Sequence, residues 1–346
     1  MRQQLSTAQK SLFHLDPGEE SPAANGNPTC PLTGRPMNEW ISMPFDWVKE
    51  STTSQGRLYW SEAAQYGESH PRPTREGVRE LYDLASYYTH GEDHYAPGRP
   101  NTLADRLRIH LAWRADKGRS FNGDFIQGEL AEEALDVLEI GAGAGDLVGE
   151  LRERGHRVVA IEPDASARVF ERGFEAHVGT AEDIPAALAG RQFDAVAMTH
   201  VLEHCIDPQK ALANIRDLLR PGGSFLCEVP NNESAALEKC GVTWPLLGVP
   251  RHLNFFTGKS LSAMATSVGL GVRRVFYSGY CRQFSNRWIE TQARIWNRLE
   301  RSGVTVDPAP ARASMTRSWK LLASTAFARP ERKYDSVGIH AFRPAE

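Results

Sequence analysis

The chain has 346 residues, 41% of them apolar and 24% charged, with a formal net charge of −3. That composition suits a soluble globular protein of one large or two modest domains, and it excludes the strong basic field that nucleic-acid binding uses. No run approaches the roughly 18 apolar residues of a membrane helix, and residues 1–20 carry no apolar signal core.

Residues 1–28, rich in Gln, Ser, Pro, Asn and Gly, read as a flexible N-terminus. An accessory region follows over 29–130. It contains Cys30-Pro31-Leu32-Thr33-Gly34, Trp60-Ser61-Glu62-Ala63-Ala64 and Pro71-Arg72-Pro73-Thr74. A helix is predicted from Thr74, with Val78, Leu81, Tyr82 and Ala85 at helical spacing. A second is predicted over Asn101–Lys117, with Leu103, Leu107, Leu111 and Trp113 on an apolar side and Asp105, Arg106, Arg108 and Arg114 elsewhere. A shorter helical piece covers 122–134. The five cysteines, Cys30, Cys205, Cys227, Cys240 and Cys281, are scattered and odd in number. They read as reduced thiols of a cytoplasmic protein.

From Leu135 the pattern alternates strand and helix, which predicts a parallel α/β sheet over 131–346. Strands are expected at Leu135–Ile140, Arg157–Ile161, Phe174–Val178, Phe193–Met198, Ser224–Val229, Gly271–Tyr277 and Ser336–Phe342. Helices are expected after the first glycine turn, from Asp164, from Asp207-Pro208 as far as Pro221-Gly222-Gly223, from Thr257, and twice within 281–330. Residues 230–256 show no regular pattern and read as a lid or binding loop. Trp113, Tyr87, Tyr88 and Tyr95, with Trp288, Trp296 and Trp319, are candidates for walling a pocket or for simple helix packing.

The apolar strand Val137-Leu138-Glu139-Ile140 runs into Gly141-Ala142-Gly143-Ala144-Gly145 and then Asp146. Alternate glycines mark a turn against which a ligand can lie, because a Cβ would clash there. A nicotinamide site would place its third glycine where Asp146 stands, and a P-loop would end in Gly-Lys-Ser/Thr, which is absent. An S-adenosylmethionine (SAM) site uses a turn of the observed form with an acidic residue ending the second strand. Glu162 stands there, and a carboxylate can accept bonds from both ribose hydroxyls.

Taken with Ala181-Glu182-Asp183-Ile184, Phe193-Asp194, Thr199-His200-Val201-Leu202-Glu203-His204 and Leu219-Arg220-Pro221-Gly222-Gly223, the chain resembles the class I SAM-dependent methyltransferases. Arg251-His252-Leu253-Asn254-Phe255-Phe256-Thr257, with Ser260-Leu261, resembles a subgroup of ubiquinone-type O-methyltransferases and sugar or natural-product methyltransferases. The resemblance implies a Rossmann-like seven-stranded sheet of order 3-2-1-4-5-7-6, its strand seven antiparallel. It implies SAM as cofactor, lined by Glu139, Gly141, Ala142, Gly143, Gly145, Glu162, Pro163, Asp183, Ile184, Thr199 and His200. In that assignment Glu162 takes the ribose, Asp183 the adenine amino group and Ile184 the ring. Many bacterial members of the subgroup begin with a zinc ribbon. Here only Cys30 of its ligands remains, with Thr33, Ser61 and Ala64 at the other positions. Tetrahedral zinc needs about four ligands, so the ribbon is degenerate, no metal is expected, and the region should be held by apolar packing.

Methyl transfer to a hydroxyl or amine requires an aligned nucleophile and removal of its proton. Histidine suits that task near neutral pH. His252, in the 230–256 stretch, is the first candidate for general base, followed by His200 and His204. The expected function is methylation of a small-molecule acceptor, on oxygen in preference to nitrogen or carbon, in a biosynthetic setting, without nucleic-acid or membrane partner and with a homodimer allowed. A non-catalytic SAM-binding protein and a macromolecule methyltransferase are the alternatives.

Overall fold

The computed structural model describes residues 26–43, 46, 56–82, 100–130, 134–303, 306 and 312–345. Tyr87, Tyr88, Tyr95 and most of the expected N-terminal segment lie outside the described residues. In chain order the elements are β1 (Asn38–Met43), β2 (Gly56–Ser61), β3 (Tyr66–His70), α1 (Arg75–Tyr82), α2 (Leu103–Asp116), α3 (Gly123–Leu130), β4 (Asp136–Ile140), α4 (Asp146–Glu153), β5 (Arg157–Glu162), β6 (Glu175–Val178), β7 (Phe193–Thr199), α5 (Pro208–Leu218), β8 (Leu219–Pro230), α6 (Ala235–Cys240), β9 (Asn254–Phe255), α7 (Gly258–Ser267), β10 (Gly271–Ser278), α8 (Asn286–Ser302), α9 (Met315–Thr325), α10 (Pro330–Lys333) and β11 (Ser336–Phe342).

Seven strands form one sheet in the order β10-β11-β8-β7-β4-β5-β6. Counted along the α/β part of the chain, that is the expected 3-2-1-4-5-7-6. β11 runs antiparallel to both β8 and β10, while β8, β7, β4, β5 and β6 are parallel. The central strands are apolar on both faces because helices cover both, and Val137, Leu138, Val196, Ala197 and Leu226 are all buried.

Four local readings are corrected. No α-helix starts at Asp164. Its carboxylate instead accepts the Ser166 N–H at 2.9 Å, a local bond that competes with helix, and only a 3₁₀ turn, Arg168–Phe170, follows. Pro221-Gly222-Gly223 does not separate α5 from the next strand, because β8 already begins at Leu219, paired with Phe193. Residues 230–256 are not irregular: they contain α6, two 3₁₀ turns and β9, and they bury Trp244, Leu247, Leu253 and Phe256.

The fourth correction concerns α2. Its leucines face outward, with Leu103 83%, Leu107 52%, Leu111 42% and Trp113 49% exposed, whereas Asp105, Arg108, Ala112 and Asp116 are buried. Arg108 and Asp105 anchor the inverted face through paired polar groups. Arg108 donates to Asp105 at 2.9 Å, to the Phe284 carbonyl at 3.1 and 3.0 Å, and to Asn286 at 3.1 Å. Periodicity gives the width of a stripe, not the side that turns inward.

The accessory region is a four-stranded antiparallel sheet, β1-β2-β3-β9, whose last strand comes from the 230–256 stretch. Cys30, Met37, Ala64 and Tyr66 are buried in the main apolar cluster. Polar groups tie this sheet to the rest as well. The Asn254 amide oxygen accepts from Tyr66 at 2.7 Å and Arg72 at 2.8 Å, and its nitrogen donates to the Cys205 carbonyl at 2.7 Å. Leu253 N–H also donates to the Glu203 carbonyl at 2.7 Å. The small sheet therefore grips the loop that follows β7.

Candidate active site

The glycine turn lies at the carboxyl end of β4. Gly141, Gly143 and Gly145 have φ of 78°, 53° and 75°, a region other residues enter at a cost. A Cβ on Gly141 would lie 2.2 Å from Val201 Cγ2, so the loop after β7 rests directly on the turn. Ala142 is buried. Glu162, ending β5, points into the turn: Gly143 N–H donates to it at 2.8 Å and Asp164 N–H at 3.1 Å. Each carboxylate oxygen keeps a further lone pair for a hydroxyl. Burial pushes the Glu162 carboxyl up, against the pull of the Gly143 bond. Glu139 is buried too, and its Oε2 has no hydrogen-bond partner. Burial and then the charge of Glu162 push its carboxyl well above the usual range. An orphaned buried oxygen beside a glycine-lined turn is what a bound ammonium group or bridging water would satisfy. The donor set therefore fits SAM.

The remaining cofactor candidates frame the turn. Pro163 is exposed just beyond Glu162, and Asp183 is exposed on the loop after β6, held by a Thr180 Oγ1 bond at 3.0 Å. Ile184 follows it, half-buried. Thr199 ends β7 and His200 follows.

His200 is the singular residue of the site. Its φ is 52°, left-handed in a non-glycine residue, with its N–H held by the Glu228 carbonyl at 2.8 Å. Nδ1 lies 3.1 Å from Glu203 Oε1, and Nε2 lies 3.6 Å from Glu228 Oε1. One half-buried imidazole thus stands between two buried carboxylates. Burial opposes ionisation of Glu203, but the His200 hydrogen bond and the neighbouring imidazoles outweigh it and bring the carboxyl down to about 2.

His204 and His252 stack edge to face with centroids 4.6 Å apart. His204 Nδ1 bonds the Arg251 carbonyl at 3.0 Å, and His252 Nδ1 bonds the Leu246 carbonyl at 2.9 Å. Burial lowers both, His252 to about 3 with the help of His204. Sequence reasoning expected no metal ligands. It did not foresee that Glu203, His204 and His252 each bring a ligand atom within 4.8 Å of the others, a donor set that suits a divalent cation.

Two polar groups beside His200 were missed in the sequence, Glu228 and Ser278. Ser278 donates to Glu228 Oε2, so β10, β8 and His200 form one polar line. Nothing in their spacing could have found them, because the line exists only once β11 is inserted between β8 and β10. Of the aromatic candidates, Trp288 is buried, Trp296 and Trp319 are half-buried, and Trp113 is exposed.

A family described as a methyltransferase domain matches residues 105–275. The ubiquinone biosynthesis O-methyltransferase of Dinoroseobacter shibae is 32% identical over 189 residues, spanning 50% of this chain and 73% of that protein. The protein of the same name from Aeromonas salmonicida is 32% identical over 193 residues, 51% of this chain and 76% of that one. Among solved structures, a Burkholderia thailandensis 1,6-didemethyltoxoflavin-N1-methyltransferase is 14% identical with a TM-score of 0.44, covering 84% of this chain and 96% of that one.

Proposed function

The chain belongs to the class I SAM-dependent methyltransferases, and from that premise we propose that it methylates an oxygen of a small-molecule acceptor with His200 as general base. Bound at the glycine turn and Glu162, SAM would supply the methyl group from its sulfonium, with S-adenosylhomocysteine as the by-product. The observation that carries the reading is the His200 imidazole, held at a positive φ just after β7 and flanked by Glu203 and Glu228. A carboxylate at Nδ1 fixes the tautomer and ring orientation and stabilises the ring once it has taken a proton. As the acceptor O–H bond breaks and the O–CH₃ bond forms, the proton passes to His200 Nε2. The names of the two relatives support oxygen as the acceptor atom.

His252, the first choice from sequence, is the weaker base. A group brought down to about 3 holds a proton poorly at neutral pH, and its Nδ1 is spent on the Leu246 carbonyl. His252 and His204 serve this reading as packing around Glu203. Glu162 would hold the ribose and Asp183 the adenine. A cytoplasmic setting belongs to the same reading; no helix among the described residues is long and apolar enough to cross a membrane.

The test is methyl transfer from radiolabelled SAM to a panel of phenols. His200→Ala should lower kcat by about 10²–10⁴-fold, far more than it weakens SAM binding, whereas His252→Asn should keep most of kcat. The reverse ranking would refute the assignment. A second reading is favoured by Glu203 Oε2, which is buried and has no hydrogen-bond partner: a divalent cation held by Glu203, His204 and His252 would polarise the acceptor oxygen. Loss of activity on chelation, restored by one divalent ion, would select that reading.

A further inference from the structure

A cavity of about 300 Å³ opens at the end of the sheet away from the glycine turn. Leu135, Asp194, Gly223 and Ser224 are among the residues that line it. They stand just before β4 and in the first halves of β7 and β8, whereas the glycine turn and His200 follow the carboxyl ends of β4 and β7. Ser224 pairs with Ala195, and Glu228 pairs with Thr199. Four residues of strand, roughly 13 Å, therefore separate Ser224 from the carboxylate that faces His200.

Three side chains from three elements form a line at this cavity. Ser224 on β8 pairs with Phe342 on β11, and His340 stands two residues before Phe342, so Ser224 and His340 project to one face. Ser224 Oγ lies 3.1 Å from His340 Nε2. His340 Nδ1 lies 3.0 Å from Oε2 of Glu129, on α3. A carboxylate only accepts, so it places the ring hydrogen on Nδ1 and turns the Nε2 lone pair towards the hydroxyl. Arg274 pairs with the other oxygen of Glu129. Burial lowers the His340 imidazole from its ordinary value, although the Glu129 bond raises it. The ring is therefore a neutral acceptor at neutral pH.

Arg273, from β10, completes the group. Its Nη1 donates to Ser224 Oγ at 3.3 Å and to His340 Nε2 at 3.2 Å. Its guanidinium stacks on the Phe342 ring, 4.9 Å from the centroid, and it lines the cavity beside Ser224. A hydroxyl, a base within hydrogen-bond reach, a carboxylate that orients the base and a cation beside the hydroxyl are the parts of an acyl-transfer site. Methyl transfer at the glycine turn uses none of these four side chains.

We propose that Ser224, His340 and Glu129 form a second catalytic site that hydrolyses small carboxylic esters. Ser224 Oγ attacks the acyl carbon and gives its proton to His340 Nε2. The carbonyl electron pair moves onto oxygen, beside the Arg273 guanidinium. As the carbonyl re-forms, the bond to the alkoxy oxygen breaks and the alcohol leaves with the His340 proton. Water then gives a proton to Nε2 and attacks the acyl group on Ser224. The carboxylic acid departs and Oγ takes the proton back. Leu130, Leu135 and Pro221 offer an apolar lining to a short acyl chain. Glu129 is a positioning residue, acting through His340.

The experiment uses the full chain without SAM. Diisopropyl fluorophosphate labelling is read by intact mass and peptide mapping, and p-nitrophenyl acetate hydrolysis is followed by release of p-nitrophenolate. One adduct per chain should form, on Ser224. Ser224→Ala should lose the adduct and lower the rate of ester hydrolysis by about 100-fold or more. Glu129→Gln should lower kcat by about tenfold or more with KM little changed, because it alters the orienting group and not the cavity. Circular dichroism and Tm establish that each variant is folded, and labelling of the parent chain decides the matter without any variant. A chain that takes no label, an adduct at another residue, or a folded Ser224→Ala variant that hydrolyses the ester at the parent rate would overturn the proposal. It would then leave Ser224, His340 and Glu129 as a hydrogen-bonded brace between α3 and the sheet.

Discussion

The half of the sheet around β4 and β5 presents backbone, and the half around β8, β11 and β10 presents side chains. At the first, three glycines with positive φ shape the turn, and the key carboxylate, Glu162, is itself held by two backbone N–H groups. At the second, His200, Glu228, Ser278 and Phe276 come from two strands and one loop. A surface made of backbone tolerates few residue types and serves one unvarying ligand. A surface made of side chains can be rewritten one residue at a time.

The comparison can be broken most sharply at the glycine turn. Gly143→Val should abolish measurable SAM binding, a loss of about 100-fold or more, because a β-branched residue pays steeply for a left-handed φ. Calorimetry reads the affinity and circular dichroism checks the fold; tight binding by this variant would remove the cofactor from the turn. The next largest effect should come from a side chain. Arg108→Ala takes away the buried cation that pairs with Asp105, and should cost about 3–5 kcal/mol in denaturant unfolding. Leu107→Ser, on the outward face of the same helix, should stay within about 0.5 kcal/mol. Equal effects would contradict the inverted orientation of α2.

A smaller loss is expected at Asn254, whose amide joins the small sheet to the loop after β7. Asn254→Ala should cost about 1–3 kcal/mol, from the buried partners it strands, and should depress kcat more than it weakens SAM binding. Unchanged kcat would detach the small sheet from the catalytic loop. The last effect is absent at neutral pH and is a matter of slope. His252 is pulled from its ordinary value of 6.5 to about 3. Between those values the unfolded chain binds a proton that the folded chain refuses, so stability falls as pH drops through that window and is untouched above it. The slope from this one group is at most ~1.4 kcal/mol per pH unit. His252→Asn should flatten the fall in Tm between pH 6.5 and 3, and an unaltered profile would assign the acid sensitivity elsewhere.

The same division explains what could be read before the fold was known. Gly141, Gly143, Gly145 and Glu162 are close in sequence and constrained by local conformation, so their spacing carries the information. The strand order follows from βα alternation together with the family resemblance. Glu228 and Ser278 stand fifty residues apart and meet only because β11 separates their strands by one position. The positive φ of His200 goes with the Glu228 carbonyl that accepts its N–H, another contact across strands. The orientation of α2 was misread for a related reason. Which stripe of a helix turns inward depends on partners such as Phe284 and Asn286, far along the chain.

Gly338 sets a limit on how this protein can diversify. Any side chain there would strike the Cys227 carbonyl, a main-chain atom that cannot swing aside, as well as the Phe276 ring. The sheet wall of the roughly 630 Å³ cavity beside Phe276 is therefore closed to gradual change. A lineage that alters the shape of that cavity has to remodel the opposite wall, at Arg119, Phe121, Phe125 and Tyr334.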